Sequence, residues 1–87
     1  MRFVDIAVYP AERYSLGIEV DSGRFYLSIP VSNSLVDYDE YYEIDQAAFQ
    51  RYRVNLESAR EFAARCRNRE LDDRLFGRPG GDRGTPA

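Results

Sequence analysis

The chain has 87 residues, of which 44% are hydrophobic, 31% charged and 14% aromatic, and its formal net charge is −3. A chain of this length forms one small domain, and this composition is typical of a globular protein rather than a disordered one. It contains no His, no Trp and one Cys. It therefore lacks the usual general base, the usual zinc-ligand set and an internal disulfide, which argues against most catalytic chemistry and against a cofactor.

Charge is distributed unevenly along the chain. Residues 1–50 contain three Arg and nine acidic residues, whereas residues 51–87 contain nine Arg and six acidic residues. The simplest interpretation is an acidic sheet and a basic helical layer that neutralise each other. No stretch reaches the length of a membrane span, and charge interrupts the N-terminal apolar run. We therefore expect neither a membrane span nor a secretory signal, and we predict a cytoplasmic location.

The first 44 residues alternate between apolar and polar side chains with the period of two that is typical of half-buried β-strands. Three predicted strands each have one apolar face, made of Val4, Ile6 and Val8; of Tyr14, Leu16, Ile18 and Val20; and of Phe25, Leu27, Ile29 and Val31. A fourth strand is predicted with two different faces, one of Tyr38, Glu40, Tyr42 and Ile44 and the other of Asp37, Asp39, Tyr41 and Glu43.

The connection between the second and third strands is predicted to be a tight hairpin. If Asp21 opposes Arg24, the apolar residues of both strands lie on one side, whereas a slip by one residue would exchange the faces. This register leaves Ser22 and Gly23 at the tip, where Gly23 supplies the positive φ that a tight turn needs.

Two helices are predicted in the second half of the chain. Asp45 and Asn55 each precede a segment of helical composition and are typical N-cap residues. The second helix has an apolar stripe made of Leu56, Ala59, Phe62, Ala63 and Cys66. Leu71 and the apolar residues after it fall off that stripe, so the chain should bend or break near residues 68–70.

The last eleven residues have a different composition. Residues 77–87 include six Gly or Pro and almost no apolar side chain that could anchor them. We predict that they form a disordered tail and that the folded domain covers residues 1–76.

The segment from 37 to 45 has the most unusual composition, with five acidic residues and three Tyr. Tyrosine offers a broad contact area and a hydroxyl, and carboxylates attract a basic partner. We interpret the segment as a surface that recognises a basic protein, made of Asp37, Tyr38, Asp39, Glu40, Tyr41 and Glu43. The alternative is a structural strand, in which Tyr38 and Tyr42 complete the core and the acidic residues protect a sheet edge from pairing with other chains.

The same carboxylates suggest two other chemistries. An EF-hand is excluded, because Tyr42 and Ala48 occupy the positions that require Gly and Glu. Asp37 and Asp39 share a face but have no third ligand nearby in the sequence, so no metal site is predicted. A small carboxylate-dependent enzyme is a second alternative, because burial can separate the pKa values of paired carboxylates. Cys66 lies within the apolar stripe and is predicted to be a buried thiol rather than a nucleophile.

Nucleic-acid binding is the first alternative to protein recognition. Residues 51–69 contain six Arg and two Glu, an excess that would suit a phosphate backbone. The residues that would carry this function are Arg53, Arg60, Arg65, Arg67 and Arg69. Four of them flank the apolar stripe, however, where their stems can cover the core edge and their guanidinium groups can reach carboxylates of the sheet.

One long run of the sequence resembles a known group of proteins. The run FYLSIPVSNSLVDYDEYYEI, from Phe25 to Ile44, is followed by Asp45 and the helical residues Phe49, Phe62 and Cys66. Together they resemble a family of small uncharacterised bacterial proteins, over nearly the whole chain except the tail. The resemblance implies a stand-alone bacterial domain and no catalytic residue. In its general build the chain is also similar to toxin-neutralising immunity proteins.

These patterns predict an α+β fold, with an antiparallel sheet of three to four strands from the N-terminal half and two or three helices packed on one face. The helical residues Leu56, Phe62 and Cys66 are expected to contact the sheet residues Val4, Ile6, Leu16, Ile18, Leu27 and Ile29. The predicted function is a non-enzymatic protein-interaction module, such as an inhibitor or immunity-like protein, that binds a basic protein partner.

Overall fold

The computed structural model describes residues 1–33, 35–77 and 84–86, and it confirms the predicted α+β class. The strands are β1 (Phe3–Tyr9), β2 (Tyr14–Glu19), β3 (Arg24–Ser32), β4 (Asp37–Ile44) and the short β5 (Thr85–Pro86). The helices are α1 (Gln46–Val54) and α2 (Leu56–Arg67), and single 3₁₀ turns lie at Pro10–Glu12 and Asp72–Arg74. All strand pairs are antiparallel, so the sheet comes from the N-terminal half with one short addition.

The order of the strands in the sheet follows the chain, β1–β2–β3–β4. β5 pairs with Val31 and Ser32 of β3, just beyond the last β2 pair between Ser15 and Ser28. Residues 84–86 therefore lie against the sheet, whereas residues 78–83 and 87 of the predicted tail lie outside the described residues. The tail and the domain boundary at residue 76 stay predictions.

The alternation of side chains gives the sheet two faces, and both helices pack on the same one, which we call the helix side. The core on this side contains Leu16, Leu27, Ile29, Val31, Tyr42 and Ile44 from the strands and Ala48, Phe49, Tyr52, Ala59, Phe62, Ala63 and Cys66 from the helices. We call the opposite face the open face, because no helix of the described chain packs on it. In β4 the open face carries Asp37, Asp39, Tyr41 and Glu43.

Both predicted helix starts are confirmed. The side chains of Asp45 and Asn55 each accept a backbone N–H from the first turn of the helix that follows. The predicted break after α2 is also confirmed, because the helix ends and Arg69 adopts a left-handed φ of 62°. This reversal brings Leu71 into the core, where it is 4% exposed.

The helical stripe begins later in α2 than predicted. Leu56 is the first residue of the helix and is 40% exposed, so its predicted contact with the sheet is wrong. Phe62 and Cys66 are buried as predicted. Burial raises the pKa of the Cys66 thiol to about 12, which leaves it protonated and unreactive at neutral pH.

The prediction for the first strand is wrong about which side chains reach the core. A register shift between Asp5 and Ala7 marks a β-bulge in β1. A bulge adds one residue and therefore reverses the alternation after it. The three residues expected in the core are exposed by 46, 47 and 57%, and these are Val4, Ile6 and Val8. Ala7 packs against the core in their place.

The β2–β3 hairpin differs from the predicted register by two residues. Arg24 opposes Glu19 rather than Asp21, so the connection covers residues 20–23. The Glu19 carboxylate explains this longer turn, because it accepts the backbone N–H groups of Asp21 and Ser22 at 3.0 and 2.8 Å. A shift of two residues keeps every side chain on its predicted face. Gly23 has a φ of 72°, which confirms its predicted positive value.

The buried Glu19 carboxylate predicts an acid-sensitive contribution to stability. A hydrogen bond from the Ser22 side chain, then one from the backbone of Arg2, lower the pKa of Glu19 from 4.5 to about 2. A carboxylate whose pKa is lower in the folded state stabilises the fold above its unfolded pKa and loses this contribution on acidification.

We expect the stability difference between wild type and Glu19→Gln to be constant above about pH 5 and to shrink toward about pH 2. Urea denaturation at a series of pH values measures this difference. A difference that does not change with pH would show that folding does not lower the pKa of Glu19.

Candidate functional site

β4 distributes the acidic, tyrosine-rich segment over both faces of the sheet. Its open-face residues, Asp37, Asp39, Tyr41 and Glu43, lie opposite Ser32, Pro30, Ser28 and Tyr26 of β3. The residues between them have side chains on the helix side, because successive side chains of a strand alternate. Four of the six predicted site residues are therefore together on the open face, and Tyr38 and Glu40 are apart from them.

Tyr38 and Glu40 make contacts within the protein. Glu40 is 7% exposed, and its carboxylate forms an ion pair with Arg69. It also accepts a hydrogen bond of 2.9 Å from the hydroxyl of Tyr42. The Tyr38 ring packs against the core, and its hydroxyl accepts the backbone N–H of Gly84 at 2.8 Å. These contacts connect β4 to the segments that follow α2.

Tyr41 belongs to an aromatic cluster that joins β1 to β4 across the open face. Its ring stacks on Phe3 with the centroids 3.7 Å apart. The rings of Tyr26 and Phe76 meet Phe3 edge to face at 5.5 and 5.3 Å. Tyr26 is completely buried, and its hydroxyl donates to the Asp5 carboxylate at 2.6 Å. The cluster leaves the half-buried rings of Phe3 and Tyr41 at the surface.

A cleft of about 270 Å³ opens beside Asp39. The other residues of the described chain that line it are Val8, Tyr9, Pro10, Arg13, Tyr14, Ser15, Ser28 and Pro30. Partial burial, then the nearby charge of Asp5, raise the pKa of Asp39 above its ordinary value. The cleft thus combines apolar residues with a carboxylate whose ionised form is disfavoured by partial burial. A cation of a partner placed beside Asp39 would stabilise that ionised form.

The remaining carboxylates of the open face have weaker restraints. Asp37 accepts a hydrogen bond of 2.6 Å from the Ser32 hydroxyl. Glu43 forms an ion pair with Arg24 at 2.9 Å, in which both side chains are about half exposed. Exposed ion pairs of this kind contribute little to stability and can exchange for another partner.

Three of the arginines assigned to nucleic-acid binding instead connect the helical layer to other parts of the chain. Arg60 holds both carboxylate oxygens of Glu12, at 2.7 and 2.6 Å. Arg67 donates to two backbone carbonyl oxygens next to β2, both at 2.9 Å. Arg69 pairs with the buried Glu40. These contacts confirm that guanidinium groups of the helical layer reach oxygen atoms of the strand half.

Sequence reasoning missed Asp5 and the cleft. Asp5 alternates with apolar residues in β1, so its outward direction is visible in the sequence. The proximity of Asp5 to Asp39 is not visible in the sequence, because only the folded sheet brings β1 and β4 together. No group of three His, Cys, Asp or Glu side chains suited to a metal ion is found within residues 1–33, 35–77 and 84–86.

Comparisons with protein-family models, with curated proteins and with solved structures found no match to this chain. In the part of the chain that the structure describes, neither α-helix has the length and apolar composition needed to cross a bilayer. The geometry of the open face is therefore the basis for a functional proposal.

Proposed function

We propose that this protein is a non-catalytic, cytoplasmic binding module that holds a basic protein partner against the open face of its sheet. The observation that supports this most is the row of carboxylates on β4, Asp37, Asp39 and Glu43, on a face that no described helix covers. Carboxylate groups at a surface attract and orient basic partners. The exposed parts of Phe3 and Tyr41 supply the aromatic contact area that such interfaces use.

Asp39 is the anchor of the proposed contact. Its pKa is raised by partial burial and then by the nearby charge of Asp5. An Arg or Lys side chain of the partner that enters the cleft would place a positive charge beside Asp39. Its aliphatic stem would pack against the apolar walls, which include Val8 and Pro30. An inhibitor or immunity-like role would follow if the captured side chain belongs to a functional surface of a basic enzyme.

The alternatives have less support from the contacts. Nucleic-acid binding through the predicted set of five arginines needs free guanidinium groups, whereas three of the five, Arg60, Arg67 and Arg69, are bound to oxygen atoms of the chain itself. Acid–base catalysis by paired carboxylates needs two of them at one pocket. Asp39 is the carboxylate that lines the cleft, and the Asp5 carboxylate accepts a hydrogen bond from Tyr26.

Affinity purification with matched variants tests the proposal. The open-face variant is Asp37→Asn, Asp39→Asn and Glu43→Gln, and the control is Asp21→Asn, Glu57→Gln and Asp73→Asn, which removes the same charge from exposed positions elsewhere. Wild type and control should retain one basic protein from cells that make this chain, and the open-face variant should retain about tenfold less. Nuclease treatment should change nothing.

Two results would contradict the proposal. Equal retention by the open-face variant and the wild type would show that these carboxylates do not contact the partner. Loss of retention after nuclease treatment would favour nucleic-acid binding.

A further inference from the structure

A second cleft, of about 290 Å³, lies where α1, α2 and the 3₁₀ turn at residues 72–74 meet. Its lining includes three arginines from these three elements, Arg51, Arg65 and Arg74. Its lining also includes the rings of Tyr52 and Phe62. We infer that this cleft binds a small organic molecule through a phosphate monoester group. The inference concerns the helix side of the protein and does not depend on the proposed function of the open face.

Two of the guanidinium groups are held over aromatic rings. The guanidinium carbon of Arg51 lies 5.1 Å from the ring centroid of Tyr52, and that of Arg74 lies 5.7 Å from the ring centroid of Phe62. The two rings are themselves packed together, with centroids 5.4 Å apart, and each residue is 7% exposed. Cation–π contact with fixed rings restricts where the guanidinium groups lie and leaves their N–H groups available.

The positive charge of the cleft is poorly balanced by the protein. Among the described residues, neither Arg51 nor Arg74 forms an ion pair with a carboxylate. Arg65 lies 3.6 Å from Glu70, and both of these side chains are about half exposed. Asp45 also lines the cleft, and its carboxylate accepts a backbone N–H as the N-cap of α1. The lining residues therefore carry three positive charges and one negative charge, so an anion in the cleft would meet an excess of positive charge.

The number and type of these groups favour a phosphate monoester over a carboxylate. A phosphate monoester carries a charge of about −2 and three terminal oxygen atoms that accept hydrogen bonds. A carboxylate has a single charge and is satisfied by one guanidinium fork. Three arginines from different elements can each face one phosphate oxygen. The rings of Tyr52 and Phe62 then offer an apolar surface for the organic part of the molecule. The volume of the cleft is near the lower end of the range for small-molecule sites.

Titration of the full chain with phenyl phosphate tests the inference, with benzoate as a ligand that has the same ring and a single charge. Isothermal calorimetry should show saturable binding of phenyl phosphate and about tenfold weaker binding of benzoate. Arg51→Gln and Arg74→Gln, together and singly, should weaken phenyl phosphate binding, by about tenfold for the pair. The control Arg2→Gln with Arg53→Gln removes two exposed arginines outside the cleft and should change affinity by less than about twofold. Circular dichroism verifies that each variant is folded.

Several outcomes would overturn the inference. The first is that no saturable binding occurs up to about 10 mM phenyl phosphate. The second is that the control variant weakens phenyl phosphate binding as much as the cleft variant does, which would indicate general charge attraction. Benzoate that binds as tightly as phenyl phosphate would exclude phosphate as the recognised group. The cleft would be assigned to nucleic acid if a single-stranded oligonucleotide displaced bound phenyl phosphate at a concentration below the one that phenyl phosphate itself needs for binding. The open-face variant should bind phenyl phosphate like wild type, so the two proposals succeed or fail separately.

Discussion

Replacing Gly17 with Ala should destabilise the protein by about 3 kcal/mol, because a methyl group at this position of β2 has no room. An added Cβ would overlap the carbonyl oxygen of Val4 and the hydroxyl of Tyr26. The first is backbone of the neighbouring strand and cannot rotate away. The second belongs to a buried ring that donates a hydrogen bond to Asp5. Urea denaturation measures the loss as a change in the free energy of unfolding.

Gly23 provides the matched control for this substitution. A Cβ at Gly23 would meet nothing within 4 Å, but the residue has a φ of 72°. Gly23→Ala should therefore cost only the backbone strain of a non-glycine residue, about 1 kcal/mol. If Gly17→Ala costs no more than Gly23→Ala, the close packing of Tyr26 over Gly17 is wrong. The aromatic cluster of the open face would then lack the support that we describe.

Replacing Arg69 with Met should cost about 2–3 kcal/mol, because it removes the guanidinium group that forms an ion pair with the buried Glu40 carboxylate. Glu40 is 7% exposed and the Arg69 side chain 27% exposed, so water replaces the lost contact poorly. Methionine keeps much of the aliphatic stem, which separates the loss of charge from the loss of packing. Chemical denaturation of the single variants and of Arg69→Met with Glu40→Gln gives the coupling between the two residues.

The exposed pair of Arg60 and Glu12 is the control for this experiment. It has two short hydrogen bonds, but the Arg60 side chain is 56% exposed. Arg60→Met should cost clearly less than Arg69→Met, because exposed ion pairs contribute little to stability. The double variant of Arg69 and Glu40 should be less destabilised than the sum of its single changes. If Arg69→Met and Arg60→Met lower the free energy of unfolding equally, burial of Glu40 does not strengthen its ion pair with Arg69.

The faces of β4 could be predicted from the sequence because its alternation is uninterrupted. Tyr42 and Ile44 on one side, and Asp39 and Glu43 on the other, follow directly from the period of two. The starts of α1 and α2 could also be predicted from neighbouring residues, because a short acceptor side chain before a helical segment identifies an N-cap. Features decided by neighbouring residues were therefore accessible without the structure.

Features decided by distant residues were not accessible in this way. Val4, Ile6 and Val8 alternate as in a regular strand, and only the pairing with β2 shows the bulge, which lies between Asp5 and Ala7 and puts Ala7 rather than Val8 on the helix side. The hairpin register was missed because two registers that differ by two residues give the same faces. The choice between them depends on the side chain of Glu19, which caps the backbone of the turn.

The two clefts could not be predicted from the sequence for the same reason. The cleft beside Asp39 of β4 also requires Val8 and Pro10, which come from the other end of the sheet segment of the chain. The cleft between the helices and the 3₁₀ turn requires Arg51 and Arg74, which are separated by the whole of α2 and by the chain reversal after it. The sequence predicts the residue types in each layer, but only the folded chain places their charges together.

The affinity of the purified partner for two charge-matched variants, measured together with their stability, tests whether the carboxylates of the open face contact the partner. The open-face variant of Asp37, Asp39 and Glu43 leaves Tyr41 in place, because its ring stacks on Phe3. We predict about tenfold weaker binding with a free energy of unfolding within about 1 kcal/mol of wild type, and an unchanged affinity for the control variant. A large loss of stability with unchanged affinity per folded molecule would contradict the account, because it would make the acidic row of β4 a structural feature only.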